Sequence, residues 1–467
     1  MTHVVGIDSS TQSCKVLVVD AETGEIQATG SAAHPDATAV DPRIWTAALH
    51  DAWGEARVTD FGKTVTAVAV GAQQHGMVAL DSGYRPIFDA LLWNDTRSAG
   101  EAERMVTERG AEYWASTTGS VPVPSFTLTK LAWLANRHPE LAAQVSRVCL
   151  PHDWLNLQLA GSFVTDRSDA SGTAYFDPVG NQYLPELLQH YLGTVPTLPT
   201  VLSPHECAGG LIDEWGLQNA SLAAGAGDNA AAALGLGLQP GEVVVSVGTS
   251  GTVFTTSSQQ ISDPTGQIAG FADAQGKFLP LLAMLNSART LSATAAMLRV
   301  DLAELDRLAL AAPADAGGLL LLPYLDGERT PNLPEARGTL VGLSRASMTA
   351  ENLARAAVLG VLNSLADGIE LLKAADLPVQ RVLLIGGGSK SVALRQAAAS
   401  LLGVEVEIPV AAEYVALGAA RQAAWMTSGE LPSWQRRIEE RFEPDDSAWA
   451  AELRSRYAQT RSSVYWV

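Results

Sequence analysis

VVGIDSSTQSCKVLVVD, residues 4–20, holds two apolar runs, Val4–Ile7 and Val16–Val19, around a polar middle. The β-branched runs predict two buried strands joined by a turn. The first strand ends on a carboxylate, Asp8, followed by the hydroxyls of Ser9, Ser10, Thr11 and Ser13, the amide of Gln12, and Lys15. A surface turn needs nothing so specific. The layout recurs in GEVVVSVGTSGTVFTTSS, residues 241–258, where Val243–Val247 meets Gly248-Thr249-Ser250-Gly251 before a second apolar run. Turn N–H groups and Ser/Thr hydroxyls make anion-binding concavities without needing many positive charges. Two such hairpins in separate halves suggest an internal repeat and a phosphate site, while two ordinary hairpin turns remain the plain alternative.

Around these hairpins both halves alternate strand and helix signals, so the fold class is α/β with parallel elements. At 467 residues the chain exceeds one ordinary core. The turn signal Gln239-Pro240-Gly241 places a boundary near residue 240, giving domains 1–240 and 241–467 with a peripheral acidic tail from about 430. RSAGEAERMVTERGAEYW reads as one helix, TKLAWLANRHPE as a helix stopped by Pro139, and TAENLARAAVLGVLNSLADGIELLKAA as a long helix capped by Thr349.

A net charge of −19 disfavours nucleic acid, and no Lys/Arg cluster offsets it. An anionic substrate such as ATP would then need its own counter-charge, most simply a divalent metal. No apolar run approaches the roughly 18 residues of a membrane span, so no membrane partner is expected. The opening strand pattern lacks the regions of a secretory signal. Cys14, Cys149 and Cys207 are scattered, which argues against disulfides or zinc and for a reducing, cytoplasmic setting.

Several further segments carry polar chemistry. FGKT, residues 61–64, is not a P-loop, because Arg57 stands where the first glycine belongs. IGGGSKS, residues 385–391, is a glycine-rich strand-to-helix turn that either lets backbone approach a nucleotide or simply turns tightly; Ser391 replaces the third glycine of a dinucleotide fold. GAGDNAAAALGLG, residues 225–237, puts Asp228 at a helix start, either as an N-cap or as a carboxylate kept ionised to accept a proton. QQHG, residues 73–76, ends a buried strand, and LLWNDTR, residues 91–97, combines an indole with amide and carboxylate groups suited to a sugar; a core Trp and an Asx turn explain it as well. DGERTP, residues 326–331, is a charged turn in which Glu328 and Arg329 could pair with each other.

In this order, with KLAW (residues 130–133) and GTLVGLS (residues 338–344), these motifs resemble the FGGY family of carbohydrate kinases over about residues 3–425. The resemblance implies two actin-like (ribonuclease H-like, ASKHA) domains with an interdomain catalytic cleft. It implies ATP-dependent phosphorylation of a sugar, with D-xylulose the expected acceptor and ribulose, L-xylulose or glycerol the alternatives. A non-kinase actin-like ATPase is the more distant reading.

The resemblance also assigns roles. Asp8 would hold Mg²⁺ on the ATP phosphates, and Asp228 would be the catalytic base with Asn229 beside it. Ser10, Thr11, Gln12 and Lys15 would form one phosphate hairpin, and Gly248, Thr249 and Ser250 the other. Gly387, Gly388 and Ser389 would form the adenosine turn. Gln74, His75, Trp93, Asn94 and Asp95 would line the sugar pocket. A homodimer is compatible with the family. The sequence departs from the family at Ser10 (usually Gly), Gln74 (often Met) and Leu359 (usually acidic).

Overall fold

The computed structural model describes residues 1–445 and 448–466. The chain divides into two compact units. The first comprises Met1–Leu238, Ser257–Leu279 and Ala412–Gln435; the second comprises Gln239–Thr256, Pro280–Ala411 and the chain from Arg436 onward. The first division, after Leu238, falls near residue 240, and two later segments, Ser257–Leu279 and Ala412–Gln435, also belong to the first unit.

In the first unit the opening stretch forms strands His3–Ser9 and Ser13–Asp20, paired antiparallel with Asp8 opposite Lys15. Ile26–Ala33 continues the meander. On the other side Val65–Ala72 and then Ser221–Ala223 pair in parallel, and Cys207–Gly210 closes the edge antiparallel. Val5, Ile7, Val16, Val18, Val68 and Val70 are buried in one core cluster with the Trp45 and Trp53 indoles. Such side chains each contribute about 1.5–3 kcal/mol on burial.

The opposite face of this sheet is covered by the Tyr414–Ser428 helix, whose Ala416, Ala419, Ala420 and Ala423 pack against Val4, Leu17 and Val19. The approach is close enough to exclude side chains. A Cβ at Gly6 would lie 2.7 Å from the backbone nitrogen of Ala420, and one at Gly418 would lie 2.9 Å from that of Gly235 in the Asp228–Leu236 helix. The alanines and glycines of these segments thus serve backbone-to-backbone packing.

The second unit repeats the plan. Phe278–Met284, Gly251–Thr255, Glu242–Val247, Arg381–Ile385, Glu405–Pro409 and Ile438–Phe442 are neighbours in that order. Pairing runs antiparallel, antiparallel, parallel, parallel, antiparallel, as in the first unit. The long helix Ala350–Ala374 is capped by Thr349, which accepts from the Asn352 N–H. Leu359 is buried in it, so the carboxylate expected at that position would have to be desolvated.

Two expectations are corrected. The helix read through residues 97–114 is two helices, Ala99–Arg109 and Ala111–Thr118, broken where Gly110 takes φ +82°. Residues 430–445 are exposed or half-buried, as a peripheral segment would be, but the chain here is built into the second unit. Ile438–Phe442 is a sheet strand, and in the Ala448–Tyr465 helix Leu453 and Tyr457 are buried while Arg454 bonds Asp367 at 2.7 Å. Composition shows the exposed charges of this region but not the spaced residues that anchor it.

Candidate active site

Asp8 is 3 % exposed at the end of the first strand. The Ser10 hydroxyl donates to its Oδ1, and Lys15 Nζ lies 3.9 Å from Oδ2. Lys15 itself bonds Glu413 at 2.6 Å. Burial raises the Asp8 carboxyl to a pKa of about 6, against the lowering effects of Ser10 and Lys15. Ser10 turns without a left-handed backbone, and its N–H donates to Ser13 O at 3.0 Å. The extra hydroxyl at this position is therefore spent on Asp8.

Asp228 is the first residue of its helix, and the N-cap is Gly227, so Asp228 is not the cap. Its Oδ1 accepts from the Asn229 backbone and side-chain N–H groups, each at 2.7 Å. Burial and then the nearby charge of Asp8 raise its pKa to about 7. Gly227 is in turn held from behind: its N–H donates to Ser168 Oγ at 3.1 Å, and Ser168 Oγ donates to Asp166 at 2.5 Å.

Gln74 packs directly on this junction, since a Cβ at Gly227 would sit 2.6 Å from its amide nitrogen. That nitrogen donates to Ser168 O at 3.2 Å. His75 has φ +68°, a conformation that costs a non-glycine residue about 1–3 kcal/mol. Its neighbours hold it: Lys130 Nζ and Thr127 Oγ1 each donate to its carbonyl at 3.2 Å, Phe126 and Phe271 flank the ring, and any side chain at Gly172 would overlap the imidazole. Lys130, the first residue of KLAW, is fully buried, and that burial lowers its pKa to about 7.

Trp93 Nε1 donates to Thr11 Oγ1 at 2.7 Å, which ties the LLWNDTR segment to the first hairpin. Asp95 is buried and accepts from Thr38 at 2.9 Å and Arg97 at 2.8 Å, so it orders the segment. Asn94 Oδ1 and the whole Gln73 amide are buried without hydrogen-bond partners. Gln12 uses its carbonyl to receive the His34 N–H at 2.8 Å.

In the second unit the glycine-rich turn presses on the strand that leads to the second hairpin. A Cβ at Gly386, where φ is +90°, would lie 2.8 Å from Val247 C, and one at Gly388 would lie 3.0 Å from Val247 O. Gly387 faces open space. The turn and the segment Gly248, Thr249, Ser250 are thus neighbours. The Ser389 hydroxyl donates to Gly386 O at 2.7 Å and so braces the turn itself.

The structure also draws in residues whose sequence context gave little sign of them. Asp166 and Ser168 fall in a stretch without clear periodicity. Glu328 does not simply pair with Arg329. It accepts from the backbone N–H groups of Leu285 at 2.6 Å and Arg329 at 2.8 Å, and from Asn286 Nδ2 at 3.0 Å. Their common signal is a carboxylate beside hydroxyls or glycine, but burial, which makes them decisive, has no such signature.

The first unit therefore offers two carboxylates of raised proton affinity, with Gln74 packed against Gly227 beside one of them and Trp93 bonded to the hairpin that follows the other. A base near neutrality can take a proton from a hydroxyl, and a buried carboxylate can anchor a cation. The N-terminal domain of the FGGY family of carbohydrate kinases matches residues 3–235, and its C-terminal domain matches residues 243–427. A xylulose kinase of Streptomyces coelicolor is 47% identical, over 91% of this chain and 88% of that one. One of Streptomyces rubiginosus is 45% identical over 92% and 89%. The solved xylulose kinase of Bifidobacterium adolescentis superposes with a TM-score of 0.89 at 43% identity, covering 98% of this chain and 99% of that one. The fold is accordingly the actin-like two-domain fold of these sugar kinases.

Proposed function

The chain belongs to the FGGY family of carbohydrate kinases, and from that premise we propose that it transfers the γ-phosphoryl group of ATP to the 5-hydroxyl of D-xylulose, giving ADP and D-xylulose 5-phosphate. The observation that carries the reading is Asp228, a carboxylate raised to a pKa of about 7 at a helix start and held beside Asp8. The xylulose kinases at 45–47% identity support D-xylulose as the acceptor.

Phosphoryl transfer passes through a loose transition state, so the chain contributes mainly position and charge. Asp228 orients the acceptor hydroxyl and takes its proton at a carboxylate oxygen, late in the transfer. Asn229 holds that carboxylate in place. His75, fixed through its own carbonyl by Lys130, presents its ring to the sugar. Gln74, Trp93, Asn94 and Asp95 complete the pocket. Thr11, Gln12 and Lys15 in the first unit and Gly248, Thr249 and Ser250 in the second contact phosphate oxygens. Gly387 and Gly388 accommodate adenosine against bare backbone.

Asp8 fits a divalent cation: its buried charge is opposed by burial and only partly compensated by Lys15. Asp8 would hold Mg²⁺ through water, and the ion would neutralise charge on the phosphates. The three unpaired cysteines support a cytoplasmic location. Among the described residues no helix is long and apolar enough to cross a membrane.

Coupled ADP release, measured with D-xylulose, D-ribulose, L-xylulose, glycerol and no acceptor, tests the reading. Release that depends on D-xylulose above the others is expected. Acceptor-independent release would replace the kinase with an ATPase.

A further inference from the structure

We propose that Arg289 is a nucleotide-phosphate ligand, a fixed positive charge beside the second hairpin of a chain whose net charge is −19. The inference rests on the reading of that hairpin as a phosphate site.

The helix Ala288–Leu298 begins against the hairpin. Ala288 N–H donates to Gly248 O at 2.9 Å, and Arg289 N–H to Thr249 O at 3.4 Å. The Arg289 guanidinium follows: Nη2 lies 3.5 Å from Ser250 Oγ. A helix N-terminus attracts anions through its free N–H groups and its dipole. Side chains here point the same way. Ser287 and Thr290 are fully buried, yet Ser287 Oγ, Thr290 Oγ1 and Arg289 Nε have no hydrogen-bond partner. Ser287 Oγ lies against the hairpin, 3.4 Å from where a Cβ on Gly251 would stand. Buried polar atoms left unpaired in this way are costly unless a ligand or water meets them.

The scaffold beneath is rigid. Glu328 receives the Leu285 N–H at 2.6 Å, and Asn286 Nδ2 donates to Gly327 O at 2.6 Å, which fixes the loop that leads into the helix. The guanidinium's only ion pair among the described residues is with Asp326 at 3.1 Å, whose side chain is 62 % exposed. An exposed pair of this kind is weak. Phosphate, which carries more charge and suits the guanidinium fork, would displace it.

The test is calorimetric titration of adenosine, ADP and ATP into the unaltered chain, Arg289→Ala and Arg289→Lys. With Arg289→Ala the ATP Kd rises roughly tenfold to a hundredfold, the worth of a charge-assisted bond to phosphate. Adenosine affinity and the KM for D-xylulose stay unchanged, and Arg289→Lys recovers part of the loss. Equal weakening of adenosine and ATP would mean a structural role and overturn the proposal. Unchanged ATP affinity in Arg289→Ala, with the unaltered chain binding ATP, would overturn it while leaving the kinase reading intact. An unaltered chain that binds no ATP would overturn both.

Discussion

Substituting Gly418 by Ala tests whether close backbone packing places Asp228. The added Cβ would overlap the carbonyl of Ala231 and lie 2.6 Å from its carbon and 2.9 Å from Gly235 N. Ordinary carbon contacts need roughly 3.5 Å, so the Tyr414–Ser428 and Asp228–Leu236 helices must part locally by about 1 Å. Alanine gains about 1 kcal/mol of helix propensity over glycine. Overpacking costs about 1–3 kcal/mol, and here the obstacle is backbone, which cannot rotate away. With the cost therefore taken at the top of that range, a net loss of about 2 kcal/mol is expected, and the melting midpoint falls by a few degrees. Activity falls further than stability alone explains, because a displacement of about 1 Å at a reacting group costs roughly a hundredfold. Calorimetry gives the midpoint, and ketose-dependent ADP release well below it gives kcat. Gly54→Ala is the control: it lies in the Arg43–Glu55 helix with open space at its Cβ, so it gains about 0.5–1 kcal/mol with turnover unchanged. A Gly418→Ala chain that melts and turns over like the unaltered one would refute the link between this packing and the position of Asp228.

Other expectations concern the chemistry. Asp228→Asn lowers kcat by about 10²–10⁴, the usual worth of a general base, with ATP affinity retained; calorimetric titration beside the activity assay checks both. Asp228 must be ionised to accept a proton, and its pKa is raised to about 7, so kcat/KM for the ketose falls as pH drops below 7 and levels off above it. A profile flat from pH 5 to 8 would contradict that role. Gln74→Met removes the amide that donates to Ser168 O and shifts the ratio of kcat/KM between D-xylulose and its isomers, which a substrate panel reads. Leu359→Asp buries an uncompensated carboxylate and lowers stability by roughly 2–4 kcal/mol, seen in denaturant unfolding.

The two hairpins were legible because Val4–Ile7, Val16–Val19 and Val243–Val247 are dense β-branched runs with hydroxyl-rich turns between them. The helix start at Asp228 is legible from the glycines before it and the alanines after it. The reason for those alanines was not, because close helix packing depends on partners some 180 residues away in the sequence, such as Gly418 against Ala231. Asp166 and Ser168 are not legible for a related reason. Each looks like an ordinary polar residue until its burial and its partners are known. The last helix is hard to read because its buried stripe is narrow: Ala450, Leu453 and Tyr457 stand at helical spacing, but polar and charged residues surround them.

Transfer of phosphate to a ketose, rather than to water, is what separates a sugar kinase from an ATPase. The most direct measurement is the ³¹P spectrum of the chain incubated with ATP, Mg²⁺ and D-xylulose. One new primary phosphate monoester, matching D-xylulose 5-phosphate and appearing in step with ADP, is expected. ADP accompanied only by inorganic phosphate would contradict it.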